Sequence, residues 1–379
     1  MNKVLFARET LTTFVDKLDK EILKIWYDHI PSSINHPLFT KSARISSIGE
    51  ELLDHLMEHN TRAAKRLRAS LIYYGYKLIA PHNQIDEDKL LIASSSIEFV
   101  HTGLLIHDDF QDQDSIRRGK ATTHKHYENY HDKNLKSEYK EHFGASMAIN
   151  VGDYALTLGY QTLLKSGFDP LVTIEALDYL FQGISQTLYG QSFDIILENS
   201  ETFTEQDIYD LHHSKTWIYT YLTPLLVWIT LAGGSEKIKN KLIEFALPCG
   251  IAFQLQDDVI GLFGDEEKTG KSAYSDIKEG KKTLLMLKTI ELCTPQEREI
   301  ITELWGRGDL TAEQAEFVRS VVKNSGALDY SYKKATEFAL QAQKVIQEIA
   351  ENDKDGVFNT EVLDYLEGIA EYMAVRRDF

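Results

Sequence analysis

The chain has 379 residues, with 41 basic against 58 acidic side chains, a formal net charge of −17 and a pI near 5.2. Hydrophobic residues make up 43% and charged residues 26%, which excludes a disordered chain and leaves enough apolar material for a large core. The acidic balance excludes nucleic acid held on a basic stripe, so any phosphorylated ligand has to be met by local basic clusters.

Residues Met1–Thr10 alternate charged and apolar types and lack the apolar stretch of a signal peptide. From there, apolar residues recur at three- and four-residue intervals. They predict helices over Val4–Tyr27, Ile45–Leu56, Leu67–Ala80, Leu90–His107, Ala145–Leu164, Leu171–Leu197, Lys239–Phe263, Leu328–Ile349 and Val362–Val375. Breaks fall at Pro31, Pro37, Pro81, Gly119, Gly167 with Pro170, Gly233-Gly234 and between Gly264 and Gly280. The segment 122–143 is polar, and its histidines, His124, His126, His131 and His142, have no metal-ligand spacing, so it predicts a solvated loop or short helical insertion. Thr216–Ser235 carries no charge, but Pro224 and the closing glycines fit a buried helix better than a membrane span. Only seven prolines occur, as long helices require, and the two cysteines, Cys249 and Cys293, suit a reduced, cytoplasmic protein without disulfides. With no repeat, linker or sustained period-two pattern, the prediction is one all-α domain over 1–379.

Chemistry concentrates in two acidic segments. In EFVHTGLLIHDDFQDQDSIRRG, Glu98–Gly119, Asp108 and Asp112 are four apart and share a helix face, with Asp109 beside them, after the apolar run Gly103–Ile106. Like charges at this spacing cost a bare helix a few tenths of a kcal/mol, a cost a divalent cation would offset; all-oxygen ligands point to Mg²⁺. Taken alone, a solvated acidic helix end explains this segment as well. In FQLQDDVIGLFGD, Phe253–Asp265, Gln254, Asp257 and Asp258 form a polar face on an otherwise apolar helix. Two such pairs facing each other across a bundle would clamp several Mg²⁺ ions, and Mg²⁺ completes its shell with phosphates and water, so the implied ligand is a diphosphate. Basic residues accompany them: Lys65, Arg66 and Arg68 ahead of an apolar helix, Arg117-Arg118-Gly119 after the first cluster, Lys215-Thr216, and Lys271 and Lys281 after the second. Singly, each reads as a helix cap or a solvated loop.

Together these segments resemble the trans-isoprenyl diphosphate synthases, the polyprenyl synthetase family. His107-Asp108-Asp109-Phe110-Gln111-Asp112 with Arg117-Arg118-Gly119-Lys120 resembles its first aspartate-rich motif, and Phe253 to Asp258 its second. Lys65-Arg66-Leu67-Arg68, Gly190-Gln191-Ser192-Phe193-Asp194, Lys215-Thr216, and Thr269-Gly270-Lys271 with Asp276 and Lys281 resemble the remaining motifs, in order from about Ala63 to the C-terminus. The resemblance implies the isoprenoid synthase fold, a helical bundle around a deep central cavity, in a homodimer with three Mg²⁺ ions. It also implies condensation of isopentenyl diphosphate with an allylic diphosphate to a trans-polyprenyl diphosphate. On that pattern Asp108, Asp109 and Asp112 hold two ions and Asp257 and Asp258 the third. Arg117, Lys215, Gln254, Lys271 and Lys281 bind the allylic diphosphate. Lys65, Arg68, His101 and Arg118, with Arg376 and Arg377, bind isopentenyl diphosphate, and Gln191, Asp194 and Thr216 line the site.

Departures from the pattern are Ala63-Ala64 for paired glycines, Ala69 for a proline, and Gly261 for a third aspartate in the second motif. With Gly261, the spacing of Asp257 and Asp265 also matches the second metal motif of class I terpene cyclases, against which Lys65, Arg68 and Arg118 argue, since cyclases need no isopentenyl diphosphate site. His107-Asp108 is also the dipeptide of helical metal phosphohydrolases, where the paired arginines have no role. A non-catalytic subunit of a heteromeric synthase would be expected to lose the aspartates. For product length, Ile97, Val100, Gly103 and Leu104 count back from Asp108 towards the cavity. Gly103, where short-chain members often carry an aromatic, predicts growth beyond ten carbons, to geranylgeranyl (C20) in preference to farnesyl (C15) diphosphate.

Overall fold

The structure, a computed structural model, describes residues 2–29, 42–135, 138–264 and 274–374. Among the described residues it is all-α apart from one hairpin of two two-residue strands. In chain order the helices are α1 (Lys3–His29), α2 (Ala43–Asn60), α3 (Leu67–Ile79), α4 (Glu87–Gln111), α5 (Thr123–Asn134), α6 (Lys140–Leu164), α7 (Pro170–Glu198) and α8 (Glu205–Leu211). A π-helical stretch, His212–Leu222, follows. Then come α9 (Thr223–Leu231), α10 (Glu236–Phe263), α11 (Ser275–Glu279), α12 (Leu284–Leu292), α13 (Pro295–Leu304), α14 (Ala312–Asn324), α15 (Ala327–Glu351) and α16 (Thr360–Ala374). Contacts divide the chain into two compact units, one of residues 10–76 and 80–177, the other of residues 1–9, 77–79 and 178–379. Helices α1, α3 and α7 contribute residues to both.

In the first unit α4 is central. Asp86 caps it by accepting from the Lys89 N–H, and Glu87 and Asp88 sit in the first turn, where the helix dipole favours acids. Its apolar residues Leu90, Ala93, Ile97, Phe99, Val100 and Ile106 are fully buried, and it packs along α6. By length and composition α4 could cross a membrane, but 67% of the stretch is buried inside the protein, as in a core helix. Helices α4 and α6 approach closely at Gly103, Gly152 and Gly159; at Gly103 an added Cβ would lie 2.7 Å from the Gly152 carbonyl oxygen. The polar segment 122–143 is mainly helical: Thr123, His124, Tyr127 and His131 form the buried stripe of α5, which also packs on α6. The arginine pair does not close α4. That helix ends at Asp112, and Arg118 and Gly119, with φ of 53° and 74°, form the turn of a hairpin pairing β1 (Ile116–Arg117) with β2 (Lys120–Ala121). Two successive positive φ values match the twist of a two-residue hairpin.

In the second unit α10 packs against the π-helical stretch, α15 and α16. Val259 and Leu262 of α10 join Ile277, Ile301, Val318 and Val322 in a core cluster. The uncharged segment expected as one buried helix is two pieces. The π-helical stretch carries buried Trp217, Tyr219 and Tyr221, and α9 follows it directly with Pro224 in its first turn. Gly190 of α7 and Gly250 of α10 leave the room into which the Lys215 backbone and Trp217 fit.

Candidate active site

The first unit carries the first acidic cluster. Asp108 and Asp112 lie on the last turn of α4 with the Asp112 N–H bonded to the Asp108 carbonyl at 2.8 Å, while Asp109 turns inward and is fully buried. Arg117 reaches back from the hairpin. It donates through Nε to Asp109 Oδ1 and through Nη2 to Asp114 Oδ2 at 3.1 Å and Asp108 Oδ2 at 3.4 Å. Burial raises the Asp109 carboxyl to about 6 despite Arg117, with Asp108 and Asp114 pushing the same way. Burial disfavours the Arg117 charge, and the three carboxylates more than reverse that. Asp114 was not singled out from sequence. It is 7% exposed, and Thr122 Oγ1 donates to its carbonyl at 2.7 Å. His107 faces α6, 3.3 Å from the Ile149 carbonyl and 3.5 Å from Asp153, which leaves no place for a His-Asp metal pair with Asp108.

The same unit gathers the cations. Arg66, with φ of 51°, leads into α3 and is buried: it donates to Asp19 Oδ1 (3.0 Å), Glu98 Oε2 (3.1 Å) and the Asn60 carbonyl (2.6 Å). Glu98 Oε1 also accepts from the Ala69 N–H near the start of α3 at 3.3 Å. This frame sets Arg68, half-buried, 3.1 Å from His101 Nε2, with Lys65 exposed. His101 is held well below its usual range by burial and by Arg68 and Arg118. Burial, then the like charge of Arg66, with Arg117 and Arg68 adding to it, brings Arg118 down to about 10. Such crowding of guanidinium groups is relieved by an anion. Arg62, also unflagged by the sequence, ties the hairpin down through the Arg117 and Ala121 carbonyls at 3.1 and 3.0 Å.

The four residues chosen for product length separate. At about 100° per residue, Ile97 and Leu104 stay within about 40° of the Asp108 direction, whereas Val100 is about 80° and Gly103 about 140° away. Accordingly Gly103 faces Gly152 and Leu156, and Val100 faces Gly159, all on α6. A side chain at 103 would therefore run into α6.

In the second unit, the Lys215 Nζ donates to Asp194 Oδ2 at 2.6 Å. Thr216 Oγ1 donates to Gln254 Oε1 at 2.7 Å, and Gln254 Nε2 donates to Asp258 Oδ1 at 2.8 Å. Asp258 is buried and Asp257 half-buried. Gln191, 9% exposed, leaves its buried Nε2 without a partner among the described residues. A side chain at Gly261 would run into the carboxylate of Asp276, which fills the space where the usual third aspartate would stand. The Lys281 N–H donates to the Asp276 carbonyl at 3.0 Å, and its Nζ lies 3.3 Å from Glu279. Lys271, Arg376 and Arg377 lie outside the described residues.

Carboxylate oxygens suit Mg²⁺. Among the described residues no ready-made cage of three or more ligating side chains forms, but Asp108, Asp112 and Asp257 are half-buried and bring carboxylate oxygens to the surface of their helices. One or two carboxylates per ion, completed by phosphate and water, is the arrangement such a donor set fits.

Comparison with known proteins gives a consistent result. The polyprenyl synthetase family profile matches residues 50–322. A geranylgeranyl diphosphate synthase of Saccharolobus solfataricus is 29% identical over 341 residues, 89% of this chain and 95% of that protein. A geranylfarnesyl diphosphate synthase of Aeropyrum pernix is 28% identical over 285 residues, 74% and 83% of the two chains. Among solved structures, a geranylgeranyl pyrophosphate synthase of Corynebacterium glutamicum, complexed with isoprenyl diphosphate and magnesium, has a TM-score of 0.86 at 26% identity, covering 97% of this chain and 99% of that one.

Proposed function

The chain belongs to the polyprenyl synthetase family, a family of trans-prenyltransferases, and on that premise we propose that it extends an allylic diphosphate with isopentenyl diphosphate to geranylgeranyl diphosphate. The observation that carries this reading is the arginine cluster around His101. It offers a second anion site beside the acidic pair, which a two-substrate condensation requires and a cyclase does not.

Asp108 and Asp112 of the first motif and Asp257 of the second are the residues we propose to hold Mg²⁺, three ions in all, with Asp276 serving in place of the absent side chain at 261. When bound, Mg²⁺ stabilises the charge that builds on the leaving diphosphate as the allylic C–O bond breaks. Arg117, set among three carboxylates, lowers the negative potential that would otherwise repel an incoming diphosphate. Lys215 is aimed by its ion pair with Asp194 and, with Gln254 and Lys281, neutralises the allylic diphosphate. Arg68 and Arg118 hold the isopentenyl diphosphate so that its double bond meets the allylic carbon; His101, neutral and accepting from Arg68, fixes that guanidinium. Loss of a proton to the released diphosphate completes the step, so no side-chain base is assigned.

Ile97 and Leu104, on the Asp108 face, are the proposed limits to chain growth. A homodimer is supported by α7, where Ile174, Phe181, Leu188 and Ile195 repeat every seven residues and are 39–58% exposed. Free, buried Cys249 and Cys293 support a cytoplasmic setting. The test supplies Mg²⁺, labelled isopentenyl diphosphate and dimethylallyl, geranyl or farnesyl diphosphate in turn, and separates the dephosphorylated products by length. Label accumulating at C20 is expected; no incorporation with any primer would refute the proposal.

A further inference from the structure

In both acidic pairs the second aspartate is turned into the protein and the first is left half-exposed: Asp109 is 0% and Asp258 7% exposed, while Asp108 and Asp257 are half-buried. Arg117 holds Asp109 in that position. Facing Asp258 is His212, the first residue of the π-helical stretch, itself 4% exposed, with Nε2 3.4 Å from Asp258 Oδ2, an ion-pair approach to an oxygen that has no hydrogen-bond partner among the described residues. Its Nδ1 is buried and has no partner among the described residues. With a carboxylate on one side of the ring and no acceptor on the other, an N–H on Nε2 is the one that meets an acceptor.

The neighbouring contacts make this a ladder. Thr216, four residues on, donates to Gln254, and Gln254 donates to the other oxygen of Asp258, four residues further along α10. Trp217 against Gly250 adds a third rung. The i→i+5 bonding of a π-helix widens each turn, so residues four and five apart stay in line along the facing helix. Both Asp258 oxygens are therefore faced by groups of this ladder, and Asp257 is left as the outward carboxylate.

We propose, resting on the synthase reading above, that His212 is a positioning residue of the second acidic motif: it keeps Asp258 turned inward, as Arg117 does Asp109, so that Asp257 is presented to the Mg²⁺-bound diphosphate. His212→Gln keeps a donor near the Nε2 position, His212→Asn moves it to the Nδ1 position, and His212→Leu removes it while filling the volume. Each is titrated calorimetrically with inorganic diphosphate in excess Mg²⁺, beside melting temperatures recorded without Mg²⁺. The Leu and Asn variants are expected to bind Mg²⁺-diphosphate on the order of tenfold more weakly or worse, and the Gln variant within about threefold of wild type, at similar melting temperatures. Wild-type binding by the Leu variant, or a loss in the Gln variant equal to that in Leu, overturns the proposal. If Leu and Asn do not fold, the Gln variant decides: near-normal binding upholds the assignment and a tenfold loss overturns it. Wild-type protein that binds no Mg²⁺-diphosphate overturns the synthase reading as well, which separates the two failures.

Discussion

Gly103→Val separates the packing of α4 from the path of the growing chain. A Cβ at 103 would sit 2.7 Å from the Gly152 carbonyl oxygen and 2.9 Å from Leu156 Cγ, against about 3.4 Å for an unstrained contact. The nearer obstacle is backbone, so α4 and α6 must part by several tenths of an ångström along a fully buried seam. Overpacking of this kind costs ~1–3 kcal/mol, and the second branch of valine places the change towards the upper end. Replacing a mid-helix glycine returns only a few tenths of a kcal/mol. The net expectation is a loss of ~2 kcal/mol, seen as a melting temperature lower by a few degrees, with the product length of the folded enzyme unchanged. Leu104→Phe, on the Asp108 face and half-buried, is expected to shorten the product with a smaller loss of stability. The assay pairs thermal unfolding with chain-length analysis of the products. A Gly103→Val enzyme that melts like wild type and makes a shorter product would refute the assignment of Gly103 to the helix seam.

Four further outcomes are expected. Asp108→Ala and Lys215→Ala should each lower kcat by about a hundredfold or more with far-UV dichroism retained, since each removes a group acting on the leaving diphosphate; activity near wild type would remove that residue from the site. Gly261→Asp restores the family's common third aspartate but should reduce activity and raise the Mg²⁺ needed for half-maximal rate, because its side chain must displace Asp276; improved Mg²⁺ use would contradict this. In chelator, Asp109→Asn should gain stability relative to wild type as pH rises from about 4 to 6. The folded-state value of about 6 means that the native protein binds the extra proton there, and ionising Asp109 costs up to roughly 3 kcal/mol above that window; a pH-independent difference in melting temperature would contradict it. Phe181→Glu with Leu188→Glu should convert a dimer to a monomer in sedimentation equilibrium, and an unchanged mass would remove α7 from the interface.

The long helices were legible because burial imposes a 3.6-residue period, and their ends differ from expectation by the capping turns. Leu90–His107 becomes Glu87–Gln111 once Asp86 and the acidic first turn are counted. The shorter helices from Leu284 to Asn324 went unpredicted although their start signals were in the sequence: Thr294 with Glu297 and Thr311 with Gln314 form capping boxes, as Thr204 and Asp207 do before α8. The acidic and basic motifs could be located by spacing, but the different orientations of Asp108 and Asp109, or of Asp257 and Asp258, depend on partners far along the chain. The Asp276 carboxylate beside Gly261 and the Arg66–Glu98 pair are contacts of this kind, although a single acid inside the apolar run of α4 hinted at the second. Counting back from Asp108 by threes and fours spreads the four residues chosen for product length over about a third of the helix circumference, and the close approach of α6 at Gly103 and Val100 was not legible in that count. The π-helical register that aligns His212 with Asp258 has no sequence signature that apolar periodicity would detect.

The central claim is a condensation that needs two anionic substrates. It is tested most directly by measuring diphosphate released from farnesyl diphosphate by the purified protein in Mg²⁺, with and without isopentenyl diphosphate. One diphosphate released per isopentenyl diphosphate consumed, and almost none without it, is predicted. Release without isopentenyl diphosphate, together with a cyclic hydrocarbon, would contradict the account.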